Sequence, residues 1–271
     1  MDDAPPPKRS FAPLTMTGGR DVELEVEWVG VPRAQAPVVV FLHEGLGSIS
    51  MWKGFPRTFC EAHGLAGFVF SRYGYGASTP KPPGEQWPPE FMHEQANEVL
   101  PALFAAVGIE RPWLFGHSDG ASIALLHAAR HPAAGVIAVA PHLFVEEVSI
   151  VSIEQARDAY AIGDLRSRLA RHHADPDSAF RGWNDAWLSP AFRDWNIEAE
   201  IDTITCPVLA VQGEGDEYGT LEQIRAIARR LPKTRLLVIP ECGHSPHRDQ
   251  PALLAREASR FIHEHRADIA R

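Results

Sequence analysis

A serine framed by glycines, Gly116-His117-Ser118-Asp119-Gly120, matches G-x-S-x-G, a bend so tight that only glycine fits two residues either side while the hydroxyl points outward. The apolar run at 112–116 (PWLFG) enters the motif, and a stretch rich in alanine and leucine, ending at Arg130, leaves it. The serine therefore sits at a strand-to-helix turn, where the helix start aims unpaired N–H groups at the hydroxyl and favours an anion developing beside it. The Asp119 N–H is the functional group there, and the Asp119 carboxylate is read as a partner of the helix dipole. Such a hydroxyl attacks an electrophile only with a base in hydrogen-bond reach, a task suited to histidine with its free pKa of about 6.5. His244 is the candidate, in the glycine-containing loop 241–250 (ECGHSPHRDQ) between an apolar run and the last helical pattern; the rival His247 is assigned a surface or supporting place. An acid that could orient the imidazole occurs in Gly213-Glu214-Gly215-Asp216-Glu217, where Asp216 is favoured and Glu214 and Glu217 read as a solvated loop.

Ser118, Asp216 and His244 are far apart in the chain, so the elements ending beside them must converge. Short runs at 38–43, 67–71, 112–116, 136–140, 208–212 and 235–239 are largely apolar on both faces, as strands buried between helices are. Helical patterns at 90–107, 119–130, 221–231 and 251–266 alternate with them, which predicts a mostly parallel central sheet with helices on both faces. Residues 21–29 (DVELEVEWV) alternate apolar with acidic and predict a half-exposed antiparallel strand. Residues 143–202 lack a convincing central strand and predict a helical cap over the carboxyl ends of the strands, where open α/β sheets bind ligands. The expected organisation is a core of 1–142 and 203–271, with 1–10 a flexible proline-rich leader, and a cap of 143–202. In the cap, Phe180, Trp183, Trp187 and Trp195 either line an apolar pocket or pack the helices, and Arg166, Arg168 and Arg171 either meet a carboxylated substrate or form a solvated face.

Composition narrows the classes of partner. A net charge of −9 without a basic cluster disfavours nucleic acid. No apolar stretch reaches the ~18 residues that would span a membrane, and no secretory leader is read. Cys60, Cys206 and Cys242 have no metal or redox spacing, so reduced thiols in the cytoplasm are expected. The pairs His172-His173 and His263 with His265 are read as solvated helix faces rather than metal ligands, and no metal or other cofactor is expected. Gly45-Leu46-Gly47 and Gly74-Tyr75-Gly76 complete no nucleotide-binding pattern. The oligomeric state stays open, a homodimer being one option.

Taken in order, HEGLGS after a strand, SRYGYGAS, GHSDG, GEGD and CGHS resemble the α/β-hydrolase superfamily over nearly the whole chain, and most of all its small capped esterases, enol-lactonases and carbon-carbon bond hydrolases. The resemblance implies an α/β-hydrolase fold, no cofactor, a small ester or related carbonyl substrate, and the chain order nucleophile Ser118, acid Asp216, base His244. It also implies an oxyanion hole formed by the N–H groups of Gly45 and Asp119. Two departures stand out: His43-Glu44 replaces the usual His-Gly, and residues 71–78 open with Ser71-Arg72. A buried carboxylate needs a partner, so Glu44 is expected to pair with Arg72 or, failing that, to be exposed or touch substrate.

Overall fold

In the computed structural model, which describes residues 10–16 and 18–265, the short apolar runs become strands β1 (Ser10–Met16), β2 (Arg20–Gly30), β3 (Val38–Leu42), β4 (Ala66–Phe70), β5 (Trp113–His117), β6 (Gly135–Val139), β7 (Val208–Gly213) and β8 (Arg235–Ile239). They form one sheet in the order β1-β2-β4-β3-β5-β6-β7-β8, antiparallel where β2 meets β1 and β4 and parallel from β4 to β8. Strand alternation divides the interior in two. In β3, Val40 and Leu42 face one core while Val39 and Phe41 face the other.

Helices α1 (Phe55–His63) and α9 (Pro251–Glu264) cover the second of these cores, with α2 (Phe91–Glu94), α3 (Leu100–Val107), α4 (Asp119–Arg130) and α8 (Glu222–Arg230) on the first. The pattern at 90–107 reads as one helix, but a π turn at Gln95–Val99 separates α2 from α3. Pro101 explains it: an interior proline has no N–H to give and crowds the preceding turn. The sequence reading also missed β1. Pro13 interrupts its short apolar pattern, a residue tolerated there because β1 is an edge strand. Ser10, assigned to the leader, is the first residue of β1, and residues 1–9 lie outside the described residues.

Between β6 and β7 the chain forms α5 (Glu147–Ile162), α6 (Leu165–Leu169) and α7 (Pro176–Trp187), with short 3-10 turns. The two ends of this insertion are tied together by the isolated bridge of Phe144 with Asn196 and by the Ile197 N–H on the Leu143 carbonyl at 2.7 Å. Asp175 caps α7 by accepting the N–H groups of Asp177 and Ser178, with Pro176 preorganised at the first position. The insertion is clamped to the core by His173, which corrects its reading as solvated. His173 is buried, accepts the Gly76 N–H on Nδ1 at 2.9 Å and donates from Nε2 to the Leu46 carbonyl at 3.0 Å, while His172 meets Ser50 at the surface.

Candidate active site

Because β3 and β5 are neighbours while the chain winds away from them on opposite sides, the order of the sheet reverses between their carboxyl ends. The elbow stands at that point. His117 ends β5, Asp119 begins α4, and Ser118 between them has φ 54° and ψ −123°, a conformation a residue with a side chain holds only under constraint. The Ser118 N–H donates to the Val139 carbonyl at 2.9 Å, and its own carbonyl takes the N–H groups of Ala121 and Ser122. The flanking glycines are steric necessities: a Cβ on Gly116 would lie 2.2 Å from the Gly120 carbonyl oxygen, and one on Gly120 2.2 Å from that of Leu42.

His244 and Asp216 meet at the same rim. His244 Nδ1 lies 2.9 and 3.0 Å from the two carboxylate oxygens of Asp216. A carboxylate only accepts, so the neutral ring carries its proton on Nδ1 and its lone pair on Nε2. Asp216 in turn accepts from the Tyr218 N–H at 2.8 Å and from Gln212 Nε2 at 3.2 Å, which fixes its plane. Burial pulls the His244 pKa down, but the hydrogen bond and charge of Asp216, helped by Glu217 and Glu44, outweigh it and leave the pKa raised. Burial pushes Asp216 up, and His244 overcomes it to leave that pKa lowered. The loop around the imidazole is held from both sides. Glu217 accepts the His244 N–H at 3.1 Å, a contact outside its assignment to solvent, and His117 Nε2 donates to the His244 carbonyl at 2.7 Å. His247 is not at the surface either. It is buried, with its ring centre 4.8 Å from that of His117 and 4.9 Å from Trp52.

The loop after β3 is locked through one peptide unit. The Glu44 carbonyl accepts three hydrogen bonds, from His43 Nδ1 at 2.7 Å, Arg72 Nη2 at 2.8 Å and the Gly47 N–H at 3.0 Å. In a trans peptide the N–H of the next residue points the opposite way, so these three donors fix the direction of the Gly45 N–H. Neither that N–H nor the Asp119 N–H finds an acceptor among the described residues.

The expected pairing of Glu44 with Arg72 is not what forms. Arg72 reaches the backbone carbonyl of Glu44, and its guanidinium is 4.0 Å from the Asp119 carboxylate instead. The Glu44 carboxylate lies 3.4 Å from Arg248 and 3.5 Å from His117. Burial works to raise its pKa, yet His117, His247 and Arg248 hold it well below the usual range. Asp119 also does more than face a helix dipole: its buried carboxylate accepts Trp187 Nε1 at 3.2 Å, and burial raises its pKa against the pull of Arg72.

A cavity of about 370 Å³ brings Ser118, His244, Gly45, Asp119 and Glu44 onto one surface, roofed by Trp183 and Trp187 from α7. Trp183 packs so closely on Gly45 that a Cβ there would lie 2.2 Å from the indole nitrogen. Phe180 stacks instead on Tyr160 and Trp195 on Phe192, so of the four aromatics only two reach the cavity. Arg168 also lines it, while Arg166 pairs with Asp177. Sequence reasoning missed His142, Tyr218 and Arg248 as lining residues. His142 carried a usable signal, since it follows the carboxyl end of β6. Arg248 carried none, its approach being set by how the last loop folds back. No group of three or more candidate metal ligands occurs among the described residues.

Residues 39–257 match the family model of the alpha/beta hydrolase family, and the chain belongs to that family. Serine hydrolase BPHL of Mus musculus is 26% identical over 190 residues, which cover 64% of this chain and 61% of that protein. Its counterpart in Homo sapiens is 25% identical over 188 residues, and the chain again spans 61% of the relative's length. Solved structures agree in fold across nearly the whole chain. A proline iminopeptidase of Mycobacterium smegmatis superposes with a TM-score of 0.74 at 18% identity, covering 95% of this chain and 98% of that one. The enol-lactonase of Burkholderia xenovorans LB400 gives 0.69 at 20% identity, covering 93% and 99%. The fold is the α/β-hydrolase fold that the motifs implied. Among the described residues no helix is long and apolar enough to cross a membrane.

Proposed function

We propose that this protein is a serine hydrolase that cleaves carboxylic esters of small substrates through an acyl-enzyme. The observation that carries the reading is the shared cavity: a serine on a strained elbow, an imidazole oriented by a buried carboxylate, and two N–H groups without acceptors among the described residues all border it. Ser118 Oγ attacks the carbonyl carbon as His244 Nε2 takes its proton, and the oxyanion is received by the N–H groups of Gly45 and Asp119. His244 then gives the proton to the leaving alcohol, and water, activated by the same ring, releases the acid. Asp216 holds the tautomer throughout. Residues 143–202 act as the cap, with Trp183 and Trp187 forming the apolar side of the pocket. Three free cysteines support a reducing, cytoplasmic setting.

The test is direct. Ser118→Ala should abolish turnover of p-nitrophenyl acetate and labelling by a fluorophosphonate without changing the melting temperature; a mutant with wild-type rates refutes the assignment. A second reading, lactone opening or carbon-carbon bond hydrolysis of a carboxylated substrate, is favoured by Arg168 and Arg248 at the cavity. Parallel assays on simple esters, lactones and dienone acids separate the two. A fold retained only for ligand binding would show neither labelling nor turnover.

A further inference from the structure

The sheet ends at β1 on one side and at β8 on the other, and only β1 carries a proline that blunts its edge. The Ile239 carbonyl accepts the Glu214 N–H at 2.8 Å, so Ile239, Leu237 and Arg235 turn their main-chain groups toward β7. By the alternation of a strand, Leu236 and Val238 turn theirs outward, where neither finds a partner among the described residues. The side chains of the same two residues are exposed, Leu236 by 40% and Val238 by 42%, on the face of the sheet that carries α8. Apolar side chains and unused main-chain groups along one open edge form a template for another strand. The charged residue of β8 does not guard that edge: the Arg235 guanidinium lies over the Phe261 ring and pairs with Glu264 at 2.6 Å, both in α9. Opposite charges stand at the two ends of the strand, Lys233 before it and Glu241 after it, both exposed and neither in an ion pair among the described residues.

We propose that β8 pairs antiparallel with β8 of a second copy of this chain, about a two-fold axis at Leu237, so that the sheet continues across a homodimer. The register follows from the edge itself. With Leu237 opposite its own counterpart, Leu236 faces Val238 of the partner subunit and Val238 faces Leu236 of the partner subunit. All four turn their N–H and carbonyl groups toward the axis, so each pair exchanges both hydrogen bonds. Their side chains form one apolar patch, and at each end Lys233 comes opposite Glu241 of the partner subunit. An axis at Leu236 would set Lys233 against Ile239 and lose the charge match, and an axis at Val238 would set Leu236 against Pro240, which has no N–H to give. A two-fold axis satisfies both ends of the strand with one lysine and one glutamate, which is the reason for a second copy rather than an unrelated strand.

The test is the mass of the full chain in solution, by light scattering after size exclusion and by sedimentation equilibrium. Twice the mass of one chain is expected at about 100 μM, with dissociation on dilution. Val238→Pro deletes an outward N–H that β7 does not use, and should weaken the dimer at least about tenfold with ester turnover kept. Leu236→Lys, which puts a charge into the apolar patch, should do the same and serves if the proline variant does not fold. Lys233→Glu and Glu241→Lys each set like charges opposite one another and should weaken association at least about threefold, and the two together should restore it. The proposal is overturned by a single-chain mass up to about 1 mM, by a dimer indifferent to both Val238→Pro and Leu236→Lys, or by charge variants that do not weaken it singly and recover it in combination. It is overturned equally by a chain that dimerises only after residues 266–271 are removed, which would assign the edge to that segment.

Discussion

Gly45→Ala should strain the loop after β3 that is proposed to receive the oxyanion. Gly45 does not have the positive φ that would exclude alanine, so the added methyl acts through space alone. Its Cβ would lie 2.2 Å from Trp183 Nε1 and 2.3 Å from Cδ1, so loop and indole must separate by over about 1 Å to reach ordinary contact. The other side of the loop cannot yield, because the Glu44 carbonyl is pinned by three hydrogen bonds. A displacement of that size takes the Gly45 N–H off the developing oxyanion, and loss of one such donor costs ~10²- to 10³-fold in kcat, or about 2.7–4 kcal/mol. Overpacking should also lower stability by about 1–3 kcal/mol. The assay is steady-state hydrolysis of p-nitrophenyl acetate by the two single variants, Gly45→Ala and Trp183→Ala, and by their double variant. Removing the indole frees the space the methyl needs, so Gly45→Ala in the Trp183→Ala background should cost less than about tenfold. If the methyl is harmless in the native background, or equally damaging in both, the steric argument and the assignment of Gly45 as donor fail together.

Three further outcomes are expected. Under the proposed mechanism His244 must be neutral to take the proton, so kcat/KM should climb with pH through its raised pKa, with the inflection above 6.5; Asp216→Asn removes the leading cause of that rise, so the inflection should move to lower pH while the plateau falls by up to about 10⁴-fold. An unmoved acid limb in that variant would show that another group titrates. Burial lowers the pKa of His127 to about 4, of His142 to about 3 and of His173 to about 4, so the unfolded chain binds more protons as pH drops and stability present above about pH 6.5 is lost on the way down through these values. Calorimetric melting temperatures should therefore decline steeply between pH 6.5 and 4, and a flat profile contradicts the burial of neutral imidazoles. Glu44→Gln removes a charge that helps to raise His244, so its acid limb should shift down modestly with the hydrolytic plateau kept; a collapse of the plateau would assign Glu44 a direct part in the chemistry.

Much of this protein was legible along the chain because the signals are local. The strand runs from β3 to β8, the helix at Asp119–Arg130 and the glycine-serine elbow follow from side-chain period and from the space a tight turn leaves. Convergence of Ser118, Asp216 and His244 follows in turn, since each lies just beyond the carboxyl end of a strand in one mostly parallel sheet. Where local rules compete, the sequence misled: Pro13 hid β1, and Pro101 opened a π turn inside what reads as a continuous helix.

The partners of the buried charges were settled only by the fold. Glu44 and Arg72 are close enough in motif order to suggest a pair, yet the acid meets Arg248, which is 204 positions away, and the guanidinium turns to the Glu44 carbonyl and Asp119. His173, a solvated histidine by its neighbours, becomes a buried clamp between two loops. Side-chain period says which face of an element is covered, whereas the approach of two loops depends on the path of every residue between them. Composition and spacing thus determine the sheet and the rim at which Ser118, Asp216 and His244 meet; the shape of the pocket and the pairing of its charges exist only once distant segments have packed.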